Sequence, residues 1–295
     1  MKILVTGATG LVGQQLTKQL IQQQHQVTVL TRSSQKAKEL FADNVDICTD
    51  LNDYQDFNGF DAIINLAGEP IFKHYWTDKQ KQKLVNSRIH LTQQLVQRIN
   101  QSQTPPHTFI SGSAMGYYGD CGQQLIDENT KSGNQFPAQL CQQWEQTALD
   151  AKTRVCLLRT GIVLAKQGGA LKAMLPLYQV GLGGKLGNGK QYWAWISLED
   201  MVKAIVFLLD NPACQGSFNL VSPYPVTNQE FNKILAQQLK RPAIMAVPRC
   251  LLSLILGERA QLLLDSQNAF PIKLQAMGFE FGYPSLKETL SKILT

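Results

Sequence analysis

Only six cysteines and four histidines occur in 295 residues, and their spacing excludes more than their number. Cys48, Cys121, Cys141, Cys156, Cys214 and Cys250 lie far apart and form no Cys-x-x-Cys pair, so neither a metal nor a disulfide framework has support. Reduced thiols are the simpler account, and a cytoplasmic location is expected. His25, His74, His90 and His107 are dispersed, with no His-x-x-Glu-His or clustered Cys/His set, so no metal site is expected. Long apolar runs are missing too. The most apolar late segment, Cys250 to Leu256, falls far short of the roughly 20 residues that cross a bilayer and reads as a buried helix. The N-terminal apolar run leads straight into glycines, unlike a secretory signal. No single charge dominates: 28 basic and 22 acidic residues are dispersed, and the net +6 reads as a solvated basic surface, with neither a nucleic-acid nor a membrane partner indicated. Internal repeats are absent, and runs such as Gln22-Gln23-Gln24 read as solvated helix surface.

What is present is enough apolar residue, 44%, for a real core, and an organising stretch at the start. Ile3-Leu4-Val5 stops at glycines placed at Gly7, Gly10 and Gly13, and an amphipathic pattern begins at once with Val12, Leu16 and Leu20. This predicts a strand, a tight turn and a helix. Runs at 26–31, 45–48, 60–66, 108–111, 155–158 and 217–220 read as further strands of one parallel sheet covered on both faces. Helices are predicted at 35–41, from Thr77 to a stop at Thr104-Pro105-Pro106, at 139–149 and at 198–209. Thr77-Asp78-Lys79-Gln80 has the pattern of a capping box. From Val226 onward, helical patterns separated by Pro242, Pro248, Pro271 and Pro284 predict a small, mainly helical lobe. The expected organisation is a dinucleotide-binding domain over 1–163, to which a helix at 198–210 and a strand at 216–221 return, and a substrate lobe over 164–197 and 222–295.

A Gly-x-x-Gly-x-x-Gly run between the first strand and helix of a βαβ series suits a dinucleotide pyrophosphate, because glycine lets backbone N–H groups and the helix N-terminus approach it. The second strand then points to the dinucleotide. NAD sites commonly present an acid there for the ribose 2′-OH, whereas this chain offers Thr31-Arg32-Ser33-Ser34, a guanidinium and hydroxyls suited to a 2′-phosphate. NADP(H) is therefore expected ahead of NAD(H).

With these residues in view, the chain resembles the extended short-chain dehydrogenase/reductase superfamily. Thr6-Gly7-Ala8-Thr9-Gly10-Leu11-Val12-Gly13 looks like its cofactor turn, Asp50-Leu51 like its adenine contact, Asn65-Leu66-Ala67-Gly68 like its fourth-strand motif, and Ser111-Gly112-Ser113-Ala114 like its catalytic-serine strand. Within that group it is most similar to an atypical nucleoside-diphosphate-sugar epimerase-like subfamily, sometimes labelled a cell-division inhibitor. Asn65 to Ile71, Asn86-Ser87-Arg88-Ile89, Ala114 to Gly119, Trp144-Glu145 and Gly278 to Phe281 carry that likeness. It implies a Rossmann-type doubly wound α/β fold and a small-molecule substrate. It also implies that Arg159-Thr160-Gly161, leaving the sixth strand, line the nicotinamide pocket chiefly through backbone.

The superfamily's chemistry uses a tyrosine with a lysine four residues on, and a serine on the preceding strand. Ser113 fits the serine. The positions expected for the pair hold Pro137 and Cys141, and the literal matches Tyr75 to Lys79 and Tyr283 to Lys287 lack the strand-then-helix setting. Tyr117 and Tyr118, nearest Ser113 in sequence, are the remaining acid/base candidates, with loop packing as the alternative. Asn86 is carried over as a proton-relay or helix-bending residue. Arg88 is either an anion-binding residue for substrate or an exposed helical arginine. Gly184 to Gln191 imitates a phosphate loop without the final Ser or Thr. It reads as a substrate-side flap whose Trp193 or Trp195 stacks on a ring, with core packing as the equal alternative. Two functions follow: an NADP(H)-dependent oxidoreductase or epimerase-like enzyme, or a dinucleotide-binding sensor that kept the cradle and lost catalysis. The substrate and the oligomeric state stay open.

Overall fold

Residues 1–295 are all described by the computed structural model. Seven parallel strands form the central sheet in the order β3-β2-β1-β4-β5-β6-β7. They are β1 Lys2–Thr6, β2 Gln26–Leu30, β3 Asp46–Cys48, β4 Ala62–Asn65, β5 Thr108–Ala114, β6 Arg154–Thr160 and β7 Gly216–Leu220. The chain winds outward from β1 to β3 and then restarts at β4 on the other side. The strand ends of β1 and β4 therefore border the crevice where such sheets bind ligands. Ile3, Leu4 and Val5 are fully buried because helices cover both faces, which is why β1 reads as an unbroken apolar run. One face is packed by α1 Leu11–Gln22, α2 Ser34–Phe41 and α7 Leu198–Asp210, the other by α4 Leu91–Gln101 and α5 Phe136–Leu149.

The long helix expected from Thr77 is interrupted. α3 Asp78–Val85 passes through a wide π-type turn, Asn86–His90, before α4 begins. The widening coincides with polar side chains that bond back to the helix: Ser87 Oγ donates to the Leu84 carbonyl at 3.0 Å and Thr92 Oγ1 to the Arg88 carbonyl at 2.7 Å. The predicted capping box is half made: Thr77 Oγ1 accepts from the Gln80 backbone N–H at 3.3 Å, but the Thr77 backbone N–H donates to the Tyr75 carbonyl at 2.9 Å and not to the Gln80 side chain.

The C-terminal region contains α8 Asn228–Leu239, α9 Arg249–Leu256 and a last helix, Leu286–Leu294, and more strand than the sequence predicts. Gly184–Leu186 pairs with Met245–Val247, Tyr192–Trp193 with Val226–Thr227, and Asn268–Ala269 with Leu125–Ile126. Strands of two or three residues are shorter than one period of any detectable alternation. The Asp200 carboxylate holds the tail to the start of α7 by accepting from the amides of Gly282 at 2.7 Å and Tyr283 at 2.9 Å. No helix is long and apolar enough to cross a membrane.

Candidate functional site

At the end of β1 the chain turns through Gly7 at φ +72°, in the left-handed region that favours glycine. A Cβ on Gly7 would lie 2.6 Å from the Leu66 carbonyl carbon, and one on Gly13 would lie 2.2 Å from the Gly7 oxygen. Both obstacles are backbone, so neither position admits a side chain without moving a strand end. Gly10 caps α1 with no side chain, and the amides of Leu11, Val12 and Gly13 are first-turn amides of that helix with no acceptor inside it. Gln14 Nε2 donates to the Thr9 carbonyl at 3.0 Å and steadies the turn. The residues present therefore fit a dinucleotide pyrophosphate: open donors, positive helix end and no Cβ in the way.

Beyond β2, Ser33 caps α2 by accepting from the Lys36 amide at 3.3 Å, and its own amide donates to Thr31 Oγ1 at 3.2 Å. Arg32 is exposed between them and belongs to no ion pair. Past β3, the Asp50 carboxylate accepts from the Asn52 amide at 2.9 Å while Leu51 is buried in the core. Leu66-Ala67-Gly68 leaves β4 beside the glycine turn, with the Ala67 amide donating to Thr6 Oγ1 at 3.2 Å.

A buried hydrogen-bond chain fixes this arrangement. Thr6 Oγ1 donates to Asn65 Oδ1 at 2.7 Å, Asn65 Nδ2 donates to Thr92 Oγ1 at 2.9 Å, and Trp144 Nε1 donates to the same hydroxyl at 3.0 Å. It ties β1, β4, α4 and α5 together. Sequence reasoning missed Thr92, because a threonine inside a helix carries no signal of its own, and met Trp144 only as part of a family match.

At the other end of the crevice, Ser113 Oγ donates to Glu145 Oε1 at 2.6 Å. Glu145 in turn accepts from Arg159 Nε at 2.9 Å and, on Oε2, from Nη2 at 2.8 Å. Burial works against the Arg159 charge, but the bonds to Glu145 outweigh it and hold the guanidinium proton more tightly than usual. Glu145 appeared in the sequence only as part of a family match. On α5, Pro137 stands in the first turn, and Cys141 lies against Ser113 with its thiol pushed by burial to about 11, the Glu145 charge adding to the effect. Neither residue is a proton donor or acceptor near neutrality.

Several expected roles fail on burial. Tyr118 is 2% exposed; its hydroxyl accepts from Arg159 Nη1 at 2.8 Å and donates to Asn219 Oδ1 at 2.7 Å, and burial pushes the phenol well above its usual range despite Arg159. It is a core strut, not an acid/base. Tyr117 is half-buried, with its ring centroid 3.6 Å from the Arg159 guanidinium carbon. Asn86 is exposed, accepts from Gln82 Nε2 at 2.8 Å and opens the π-type turn. Trp193 and Trp195 are core residues, 5% and 1% exposed, whose indoles donate to the carbonyls of Leu263 and Tyr224. Ring stacking on a substrate is thereby corrected to its alternative. Arg159 spends its side chain on Glu145, while the Gly161 amide bonds the Leu220 carbonyl at 3.1 Å and Thr160 Oγ1 the Leu158 carbonyl at 3.1 Å. Tyr75, from one of the two literal Tyr-x-x-x-Lys matches, donates to the Ile255 carbonyl at 2.5 Å, far from Ser113 in the chain and on another element. Arg88 is half-buried beside Gly68, not an exposed helical arginine.

Residues 3–221 match the NAD dependent epimerase/dehydratase family, and residues 247–293 match a domain of unknown function, DUF1731. The chain is 38% identical to an SDR39U1 homologue described as a chloroplastic epimerase family protein of Arabidopsis thaliana, covering 100% of this chain and 87% of that protein. It is 37% identical to an epimerase family protein of Mycobacterium leprae, covering 99% and 95%. Among solved structures it is similar to the human epimerase family protein SDR39U1 with NADPH, at a TM-score of 0.90 and 29% identity over 99% of both chains. A UDP-glucuronic acid 4-epimerase of Bacillus cereus, in complex with UDP-glucuronic acid and NAD, shares the fold at a TM-score of 0.79 and 17% identity over 99% and 98% of the chains.

Proposed function

The chain belongs to the NAD dependent epimerase/dehydratase family, and on that premise we propose that it binds NADP(H) and acts as an oxidoreductase or epimerase-like enzyme on a small carbonyl or sugar-nucleotide substrate. The observation that carries the cofactor is the turn at Gly7 and Gly13, where neighbouring backbone admits no side chain, running into first-turn amides of α1 that have no acceptor within the helix. Arg32 and the hydroxyls of Thr31 and Ser33 are the groups for a 2′-phosphate, with no acid among them. The human relative with NADPH supports the same choice.

When bound, NADP(H) supplies a hydride donor or acceptor at its nicotinamide carbon. This chain's residues do the rest. Amides of the first turn of α1 would hold the pyrophosphate, Asp50 and Leu51 the adenine, and Leu66 to Gly68 and Thr160-Gly161 the run toward the nicotinamide. Ser113 has given its only proton to a carboxylate, which accepts and cannot donate, so toward a ligand Ser113 acts as a hydrogen-bond acceptor. Tyr117 is the one phenol left beside the β5 end for proton exchange.

A second reading, a cofactor-binding sensor without turnover, is supported by Pro137 and Cys141 at the sequence positions where the family resemblance leads one to expect the tyrosine and the lysine. Fluorescence titration with NADPH and NADH tests the cofactor, and tighter NADH binding would overturn it. NADPH oxidation across a panel of aldehydes, ketones and sugar nucleotides separates the readings. Turnover lost in Ser113→Ala supports the enzyme, whereas tight NADPH binding with no oxidation by any compound supports the sensor.

A further inference from the structure

Arg88 is a half-buried cation with no carboxylate in contact, though the Glu69 charge lies near enough to favour it. Its guanidinium carbon lies 5.4 Å from the Trp144 ring centroid on one side. On another it packs so closely on Gly68 that a Cβ there would come within 3.1 Å of it. Nη1 donates to the Leu84 carbonyl at 3.3 Å and to Ser87 Oγ at 3.4 Å, and Nη2 to the Glu69 carbonyl at 3.0 Å. All these acceptors are neutral. Arg88 takes part in none of the ion pairs, and the carboxylate of Glu69 is engaged with Lys83 at 3.1 Å. Burial disfavours the charge, yet a guanidinium keeps its proton at any physiological pH. A buried charge is costly unless it is paired.

Of five N–H donors, three are accounted for by these bonds. Nε carries no bond and Nη2 only one, and in a planar guanidinium Nε and Nη2 share the edge that takes a carboxylate with two parallel hydrogen bonds. Gly68 ends the Leu66-Ala67-Gly68 run of the crevice, and the Trp144 ring beside Arg88 packs on Gly112, next to Ser113. The free edge therefore belongs to the same end of the cleft as Ser113.

We propose that Arg88 is the anion-recognition residue of this cleft and that its ligand is a small molecule bearing a carboxylate, bound two-pronged through Nε and Nη2. The proposal rests on the reading of the cleft as an NADP(H)-dependent substrate site. It narrows that reading from any small carbonyl or sugar nucleotide to a carboxylate-bearing one.

Calorimetric titration of the NADPH-loaded protein with oxalate, with its neutral counterpart oxamide and with inorganic phosphate tests it. Oxalate is expected to bind, oxamide to show no measurable binding, and phosphate to bind at least fivefold more weakly than oxalate. Arg88→Gln is expected to weaken oxalate at least tenfold and Arg88→Lys, which keeps the charge but loses the fork, at least threefold, with NADPH affinity unchanged within twofold in both. Oxalate failing to bind wild type, binding Arg88→Gln equally well, or binding more weakly than phosphate would overturn the assignment. So would an equal loss of NADPH affinity in the variants, since Arg88 would then serve the cofactor. If Arg88→Gln does not fold, the Lys variant carries the test. If the wild type binds no NADPH, the cofactor reading fails by itself, and the oxalate titrations on protein without NADPH still decide the role of Arg88.

Discussion

Glu145 and Arg159 meet through two hydrogen bonds, Nε to Oε1 at 2.9 Å and Nη2 to Oε2 at 2.8 Å, in the interior between α5 and β6. Removing one partner leaves the other charged and buried, which typically costs about 3–5 kcal/mol, whereas removing both charges together is far less damaging. Glu145→Leu is therefore expected to destabilise the protein by about that much in urea unfolding, and Glu145→Leu with Arg159→Met by markedly less. Equal losses in the single and double variants would mean that the pair contributes by packing alone.

Gly13 tests the cradle most directly. With backbone 2.2 Å from where a Cβ would sit, Gly13→Ala has to displace either the Gly7 carbonyl or the start of α1. NADPH affinity is expected to fall at least tenfold, roughly 1.4 kcal/mol, in a fluorescence titration. An unchanged dissociation constant would show that the cofactor does not lie against this turn.

Arg32 is exposed and unpaired, so its removal leaves the fold intact. Arg32→Ala is expected to weaken NADPH by about tenfold, on the order of 1.4 kcal/mol, and to leave NADH within twofold. Parallel titrations measure the ratio, and a loss shared equally by both cofactors would remove the 2′-phosphate assignment.

Asp265 ties stability to pH. Burial, helped by Asp120 and opposed by Arg249, raises its carboxyl from 3.8 to about 6. The folded state thus prefers the protonated acid. Its contribution is fullest below about 4 and is lost as pH rises through about 6. Asp265→Asn keeps the neutral form at every pH, so its melting temperature relative to wild type is expected to rise between pH 4 and 7. A difference that stays constant over that range would contradict this.

Much of the architecture was legible because it rests on local demands. Ile3-Leu4-Val5 is apolar without alternation since both faces of β1 are covered, and Gly7 and Gly13 are glycines because backbone crowds them. The site was legible only where a residue's type is dictated by its neighbours in sequence. The Thr6, Asn65, Thr92 and Trp144 chain joins residues far apart in the sequence, and nothing near Thr92 marks its hydroxyl as a shared acceptor. Tryptophans in a glycine-rich stretch look alike whether they face ligand or core; the carbonyls of Leu263 and Tyr224 settled Trp193 and Trp195, and both lie outside that stretch. The π-type turn at Asn86–His90 likewise depends on side chains folding back on their own helix.

The β1 core is completed from far along the chain: α7 packs beside α1 over β1, and β7 closes the sheet against β6. During synthesis at about 5–20 residues per second, the glycine turn emerges roughly 10–40 s before β7 does. For most of that interval β1 has α1 and α2 beside it but lacks the cover that α7 supplies. A chain released before α7 would leave open to other chains the face of β1 that α7 helps to cover.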